Sequence, residues 1–329
     1  MNRADICVLF LKSDIFQRWH WFRYHFSTLS VPGREHPLAA SVIDALVVCD
    51  RAMPGYAERF VTTLASIGGR EKFEPQYEQL LQLLAELHIV HQVVSFRWPG
   101  SASFSAEPTA GGSKKNPEIT VENCGTVYGI EVKSPALLEH VRKRGTNRTQ
   151  IPARVFTPDM VMSLSGAGEG VTLPRDNPVK DFLQSANAKF ASFKVENSSF
   201  VGVLVIVWDD FIYEPISSVV HEASGLFTPN SFCKDELGRP MTFTHVDGVI
   251  VTRHLHQLRR ATRDEPLVDD CRHPLDYGED GKFPFKVFIA NPHGNTVPEI
   301  ILECLQAHVL SPEMGAAYAP TDLVWWIPF

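Results

Sequence analysis

The chain lacks an excess of positive charge. Its 31 Lys and Arg against 38 Asp and Glu give a formal net charge of -7 over 329 residues. A uniformly cationic nucleic-acid binder is excluded, so any contact with a polyanion has to come from a local patch. It also lacks a C-x-x-C pair. Its six cysteines, at positions 7, 49, 124, 233, 271 and 304, are scattered, which excludes a zinc ribbon or thioredoxin-type motif and fits a reduced intracellular chain. Long apolar runs are missing too. Residues 6–11 are followed at once by Lys12, Asp14 and Arg18, too short a stretch to span a bilayer and without a signal-peptide layout. The expected location is cytoplasmic, with no membrane partner. There is no G-x-S-x-G elbow, and no cysteine has an evident histidine partner. The glycine-rich residues 166–170 lack the Lys-Ser/Thr of a phosphate loop, and His221-Glu222 lacks the second histidine of a zincin helix. His254 and His256 flank Leu255 without an obvious third zinc ligand.

What is present is an ordinary globular balance, 44% hydrophobic and 21% charged, sufficient for a sizeable core. Residues 1–70 read as mostly helical, broken at Pro54-Gly55 and bounded near Gly68-Gly69. Their aromatic cluster (Phe16, Trp19, Trp21, Phe22, Tyr24, Phe26) reads as core or interface rather than as base-stacking platform. Residues 75–88 carry Tyr77, Leu80, Leu81, Leu84 and Leu87 at helical spacing behind Pro75. A strand is expected at 89–98, a loop at 99–115, and two short strands at 118–122 and 127–133 joined by the turn residues Asn123, Cys124 and Gly125. An irregular basic connection follows over 134–177, then a helix at 178–194 and an almost wholly apolar strand at 200–208. Further strands are expected at 246–252 and 285–290. This order implies an α/β protein with a mixed central sheet flanked by helices and an N-terminal helical extension. The chain divides as 1–70, 71–310 and an apolar tail, 311–329.

The chemistry concentrates in Gly129-Ile130-Glu131-Val132-Lys133. In a strand, Glu131 and Lys133 point to one face and Ile130 and Val132 to the other. Glu118 lies one strand earlier, across a tight hairpin. Two carboxylates side by side are costly unless a cation lies between them. Their hard oxygens suit Mg²⁺, with Mn²⁺ as a substitute, and such an ion polarises a phosphoryl oxygen and acidifies bound water. A neighbouring lysine supplies a compact charge that orients water and offsets charge in the transition state. Glu122 shares a strand face with Glu118 and is a rival ligand. Asp209-Asp210, after the apolar strand, read as a turn cap.

The order helix, three strands, helix, strand, with Pro117-Glu118 and Glu131-Val132-Lys133, resembles the PD-(D/E)XK nuclease superfamily over roughly residues 75–208, extending toward 290. The resemblance implies a restriction-endonuclease-like core, αβββαβ. It implies a metal-dependent phosphodiester hydrolase, DNA ahead of RNA, leaving a 5′-phosphate and suited to restriction, phage defence or repair. Glu118 takes the place of the family's Asp after Pro, a departure in side-chain length. Glu131 takes the (D/E) place and Lys133 the Lys place, with Glu118 and Glu131 as metal ligands. The family often adds a glutamate from its first core helix, here Glu78 with Glu86 as fallback, and a Gln or Lys from its second, here Gln184 or Lys189. Phosphate contacts are expected from Arg142, Lys143, Arg144, Arg148 and Arg154, in a basic run that includes His140, and from Lys189. Cutting both strands would suit a homodimer. The alternative is a nucleic-acid-binding or protein-interaction module on the same fold that has lost catalysis.

Overall fold

The structure is a computed structural model that describes residues 1–329 except 30, 32, 69–72, 111–114, 152, 166–169, 316–317, 320–323 and 326–329. The glycine-rich stretch 166–170, the Gly68-Gly69 boundary and the apolar tail 323–329 therefore fall largely outside the described residues. The chain opens with five helices: α1 (Arg3–Lys12), α2 (Asp14–Gln17), α3 (Arg23–Phe26), α4 (Pro37–Ala52) and α5 (Tyr56–Ser66). Asn2 and Asp5 form a reciprocal capping box that starts α1. Pro37 occupies the first turn of α4, and the His36 ring accepts the Leu38 N–H there. Met53 to Gly55 separates α4 from α5, at the expected Pro-Gly break.

The long helix α6 (Glu74–Ser95) follows, then β1 (Ala102–Ala106), β2 (Ile119–Asn123) and β3 (Thr126–Lys133). Next come α7 (Leu138–Thr146), β4 (Thr149–Gln150), α8 (Pro158–Ser165), β5 (Val171–Thr172), α9 (Asp176–Glu196) and β6 (Val201–Trp208). The chain continues through α10 (Tyr213–Val220), β7 (Gly248–Arg253), α11 (Leu255–Ala261), β8 (Lys286–Ala290), α12 (Glu299–Cys304), β9 (Ala307–Val309) and β10 (Val324–Trp325). A mixed seven-stranded sheet has the order β1-β2-β3-β6-β7-β8-β9, flanked by helices. The β1-β2-β3 strands are antiparallel, β3-β6-β7 parallel, β7-β8 antiparallel and β8-β9 parallel. Strands β10, β4 and β5 form a second, small sheet.

Three expectations are corrected. Residues 89–98 are not a strand: α6 runs on to Ser95, because Ile89, Val90 and Val93 are buried along it and packing overrides their β preference. The first strand of the sheet lies instead at Ala102–Ala106, inside the expected loop, where inner and outer residues alternate. The connection 134–177 contains two helices and two short strands. Helix α6, three strands, α9 and β6 follow in that order, with a different first strand and with α7, β4, α8 and β5 between β3 and α9.

One continuous hydrophobic cluster joins the N-terminal helices to the sheet. Trp21, for example, meets the Tyr77 ring of α6 edge-on at 5.0 Å. On the sheet, Gly129 of β3 pairs with Gly202 of β6, leaving a flat patch on the face that carries Glu131. The Phe200 ring lies over Gly129 and the Phe190 ring of α9 over Gly202. Those two missing side chains let α9 approach the sheet closely. A Cβ at Gly202 would lie 2.5 Å from the Phe190 ring and 2.9 Å from the His245 carbonyl oxygen. Gly202→Ala should therefore lower the urea-unfolding free energy by about 2 kcal/mol. Gly145→Ala in α7, where a Cβ meets nothing within 4 Å, should be neutral or stabilising in the same measurement.

Candidate active site

The β2-β3 hairpin positions the first two site residues. Its turn residues Cys124 and Gly125 both take positive φ, 50° and 80°, as a two-residue hairpin requires. The turn fixes Ile119 opposite Ile130. Glu118, one residue before β2, thus falls opposite Glu131 on the same face. Lys133, two residues on from Glu131, shares that face, and its Nζ lies 2.6 Å from Glu131 Oε1. Helix α9, seated over the paired glycines, brings Lys189 Nζ to 2.7 Å from Glu131 Oε1, 3.0 Å from its Oε2 and 3.7 Å from Glu118 Oε1. Glu131 itself has no exposed surface.

Helix α6 supplies the fourth element of the cluster, and it does so through Glu86. The electrostatic neighbours of Glu86 are Glu118, Lys133, Glu131 and Lys189. Glu78 lies elsewhere: its carboxylate accepts the Leu138 N–H at the start of α7. The sequence preference for Glu78 is therefore corrected to its fallback. Burial, and then the Glu118 charge, raise the Glu86 carboxyl to about 8. Burial, followed by Glu131, raises that of Glu118 to about 7. Burial opposes the charge of Lys133, but the Glu131 carboxylate outweighs it and holds the ammonium above its ordinary value. Glu86 and Glu118 open onto a cavity of about 430 Å³ that Tyr56, Arg59, Leu83 and Glu107 also line. Glu122, exposed beside the hairpin turn, is not part of the cluster. Gln184 faces the Cys233 and Met241 sulfurs.

The basic run divides between surface and interior. Arg144 is 1% exposed and pairs with Asp209 and Glu214, the latter at 3.0 Å, with its guanidinium 3.7 Å from the centre of the Phe211 ring. His140, also buried, contacts Glu214 at 2.9 Å. These two groups fasten α7 to the β6-α10 turn, so the expectation that Arg144 contacts phosphate is corrected. Lys189 is corrected likewise, since its ammonium serves Glu131 and Glu118. Arg142 pairs with Glu74, Lys143 with Glu139 and Arg154 with Asp176, all with exposed basic side chains; Arg148 is exposed. Asp209 also accepts the Phe211 N–H, the expected turn cap, while Asp210 pairs with Arg253. His254 and His256 part company: one faces the Pro274 carbonyl, the other Asp269.

The donor set of the cluster fits a hard divalent cation. Three carboxylates face two ammonium groups, so full ionisation leaves negative charge in excess, which adds to burial in raising Glu86 and Glu118. Lys189 already occupies Glu131, so an entering cation competes with that ammonium. Elsewhere, His25, His36 and Asp264 each offer one ligand atom within 4.8 Å of the others. There His36 Nε2 lies 2.5 Å from Asp264 while its Nδ1 accepts the Leu38 N–H, so the ring is committed to protein partners on both sides. No helix among the described residues is long and apolar enough to cross a membrane. No protein-family model, curated protein or solved structure matches the chain.

Two outcomes follow from this geometry. A carboxyl raised on folding favours the folded state fully below its unfolded value and loses that contribution as pH rises through its folded value. For Glu86 and Glu118 the loss falls between the ordinary carboxyl range and about 8. In metal-free buffer, stability measured by chemical denaturation should decline across that window, and Glu86→Gln should flatten the decline and raise stability at its upper end. Separately, Arg144→Ala leaves Asp209 and Glu214 buried without their guanidinium and should cost about 3–5 kcal/mol. Arg148→Ala should be close to neutral in the same assay.

Proposed function

We propose that the chain is a divalent-metal-dependent nuclease built on a restriction-endonuclease-like, PD-(D/E)XK core, hydrolysing nucleic-acid phosphodiesters with DNA ahead of RNA. The observation that carries this reading is the convergence of Glu118, Glu131, Lys133, Glu86 and Lys189, from four separate elements, beside an open cavity. The element order from α6 to β6 supports it as well. Glu118 and Glu131 would hold the metal, Mg²⁺ or Mn²⁺, with Glu86 as the helix carboxylate. When bound, that ion supplies Lewis-acid polarisation of the phosphoryl oxygen and a more acidic water. The protein's own part is positional. Glu131 fixes the Lys133 ammonium, which orients the attacking water and offsets the charge developing on the phosphoryl oxygens. Lys189 bridges Glu131 and Glu118, and a bound metal would take over that charge balance. The exposed Arg142, Lys143 and Arg148 remain to meet the phosphate backbone.

A second reading has one specific observation behind it. Both oxygens of Glu131 already contact ammonium nitrogens, at 2.6–3.0 Å, as they would in a module on this fold that binds without cutting. Supercoiled plasmid incubated with the protein and Mg²⁺ or Mn²⁺ separates the two. The nuclease reading expects nicking that Lys133→Ala lowers by about 10²-fold or more. It also expects Mg²⁺ to raise the thermal midpoint of the wild type but not of Glu131→Gln. Absent nicking with salt-sensitive DNA binding retained would establish the binding module instead.

A further inference from the structure

On the other flank of α6 lies a partly open cavity of about 150 Å³ whose wall includes His88, Arg253, His254, Tyr277 and Lys286. It is separate from the carboxylate cluster. Lys286 is 7% exposed, and its Nζ donates to Gln306 Oε1 at 3.0 Å and lies 4.6 Å from the centre of the Tyr277 ring. Among the described residues no carboxylate lies within ion-pair distance of it. Of the four acids that line the cavity three are committed elsewhere, and the fourth, Asp270, is exposed. Asp276 takes Arg272 through both oxygens at 2.7 Å, and Asp269 takes Arg253 at 2.9 Å. Glu279 pairs with Lys282 at 2.6 Å, and Asp280 with His308 at 2.9 Å. Lys286 thus brings a buried positive charge without its own counter-ion to a cavity wall, an arrangement that destabilises the fold unless an anion enters.

A second, independent feature points the same way. His88 is 1% exposed and lines the same cavity, yet its Nδ1 has no protein partner. Its ring stacks on His254 at 3.7 Å, and burial keeps both imidazoles neutral. A neutral ring nitrogen presents a donor or an acceptor according to tautomer. We propose that this cavity binds a small molecule bearing one oxyanion group, a carboxylate or a phosphate, with the Lys286 ammonium as its charge partner and the His88 ring as a second polar contact. A cavity of about 150 Å³ accommodates a group of about the size of benzene. Burial pushes the Lys286 ammonium down to about 8, as expected of a lysine that lacks its anion.

The test uses the full chain at pH 7, titrated by calorimetry and followed by thermal denaturation, with inorganic phosphate in one arm and benzoate in the other. Saturable one-to-one binding of either, with a raised thermal midpoint, is expected, and the responsive arm identifies the oxyanion. Lys286→Met should weaken that binding at least about tenfold, the loss expected for one charged hydrogen bond. Lys286→Gln, which retains a polar contact for Gln306, should weaken it equally. Ligand-free Lys286→Met should also melt higher than the wild type, because it removes an uncompensated charge. Binding of neither anion, equal binding in both variants, or a ligand-free Lys286→Met that melts lower than the wild type would overturn the assignment.

Discussion

A carboxylate with no exposed surface has to be matched by positive charge close at hand, and Glu131 at the middle of the sheet is such a carboxylate. Much of the local architecture meets that demand. Strand period 2 puts Lys133 on the same face. The paired Gly129 and Gly202 lower the sheet surface so that α9 can reach it with Lys189. A positive-φ turn locks the hairpin register that brings Glu118 opposite. With two ammonium groups drawn in, the further carboxylates of Glu118 and Glu86 become tolerable there, but only at raised carboxyl values. Glu131 is thus matched by its own lysines, and any entering cation would compete with them.

The sequence showed this centre because its signal is short-range. Alternation along residues 129–133 and the Asn-Cys-Gly turn are local facts, and they place Glu131, Lys133 and Glu118 without knowledge of the rest. Lys189 was visible as a residue bordering the apolar stripe of its helix. The choice between Glu78 and Glu86 was not legible. Helix α6 buries Tyr77, Leu80, Leu81, Leu84, Ala85, Leu87, His88, Ile89, Val90 and Val93, so its burial wraps widely around the helix and no single polar face points to the site. The same wrapping disguised its last turns as a strand, since a short run rich in Val and Ile reads alike in both states. Strand β1 escaped for the opposite reason: Ala, Ser and Phe alternate there too weakly to announce a sheet edge.

The basic run at 140–154 shows a different limit. Charge density in sequence does not distinguish a solvated patch from an internal brace, because the partners of a buried charge can lie far along the chain. Arg144 meets Asp209 and Glu214, 65 and 70 residues later. Of those acids only Asp209 stands out in the sequence, and it does so as a turn cap. What separates Arg144 from Arg142 is the side of α7 on which it falls, and that is fixed by docking rather than by composition.

Helix α6 ties the two charged regions of the molecule together. Glu86 and His88 are two positions apart, so a 3.6-residue period sets them on nearly opposite faces of the same rod. One faces the carboxylate cluster and the other the cavity of Lys286. Close-packed interiors transmit small displacements rather than absorb them. Helix α6 packs against α4, α11 and β3, so one rod positions the groups on both of its faces. The carboxylate that completes the candidate metal site and the histidine that completes the anion cavity therefore share one positional constraint, about a helix diameter apart.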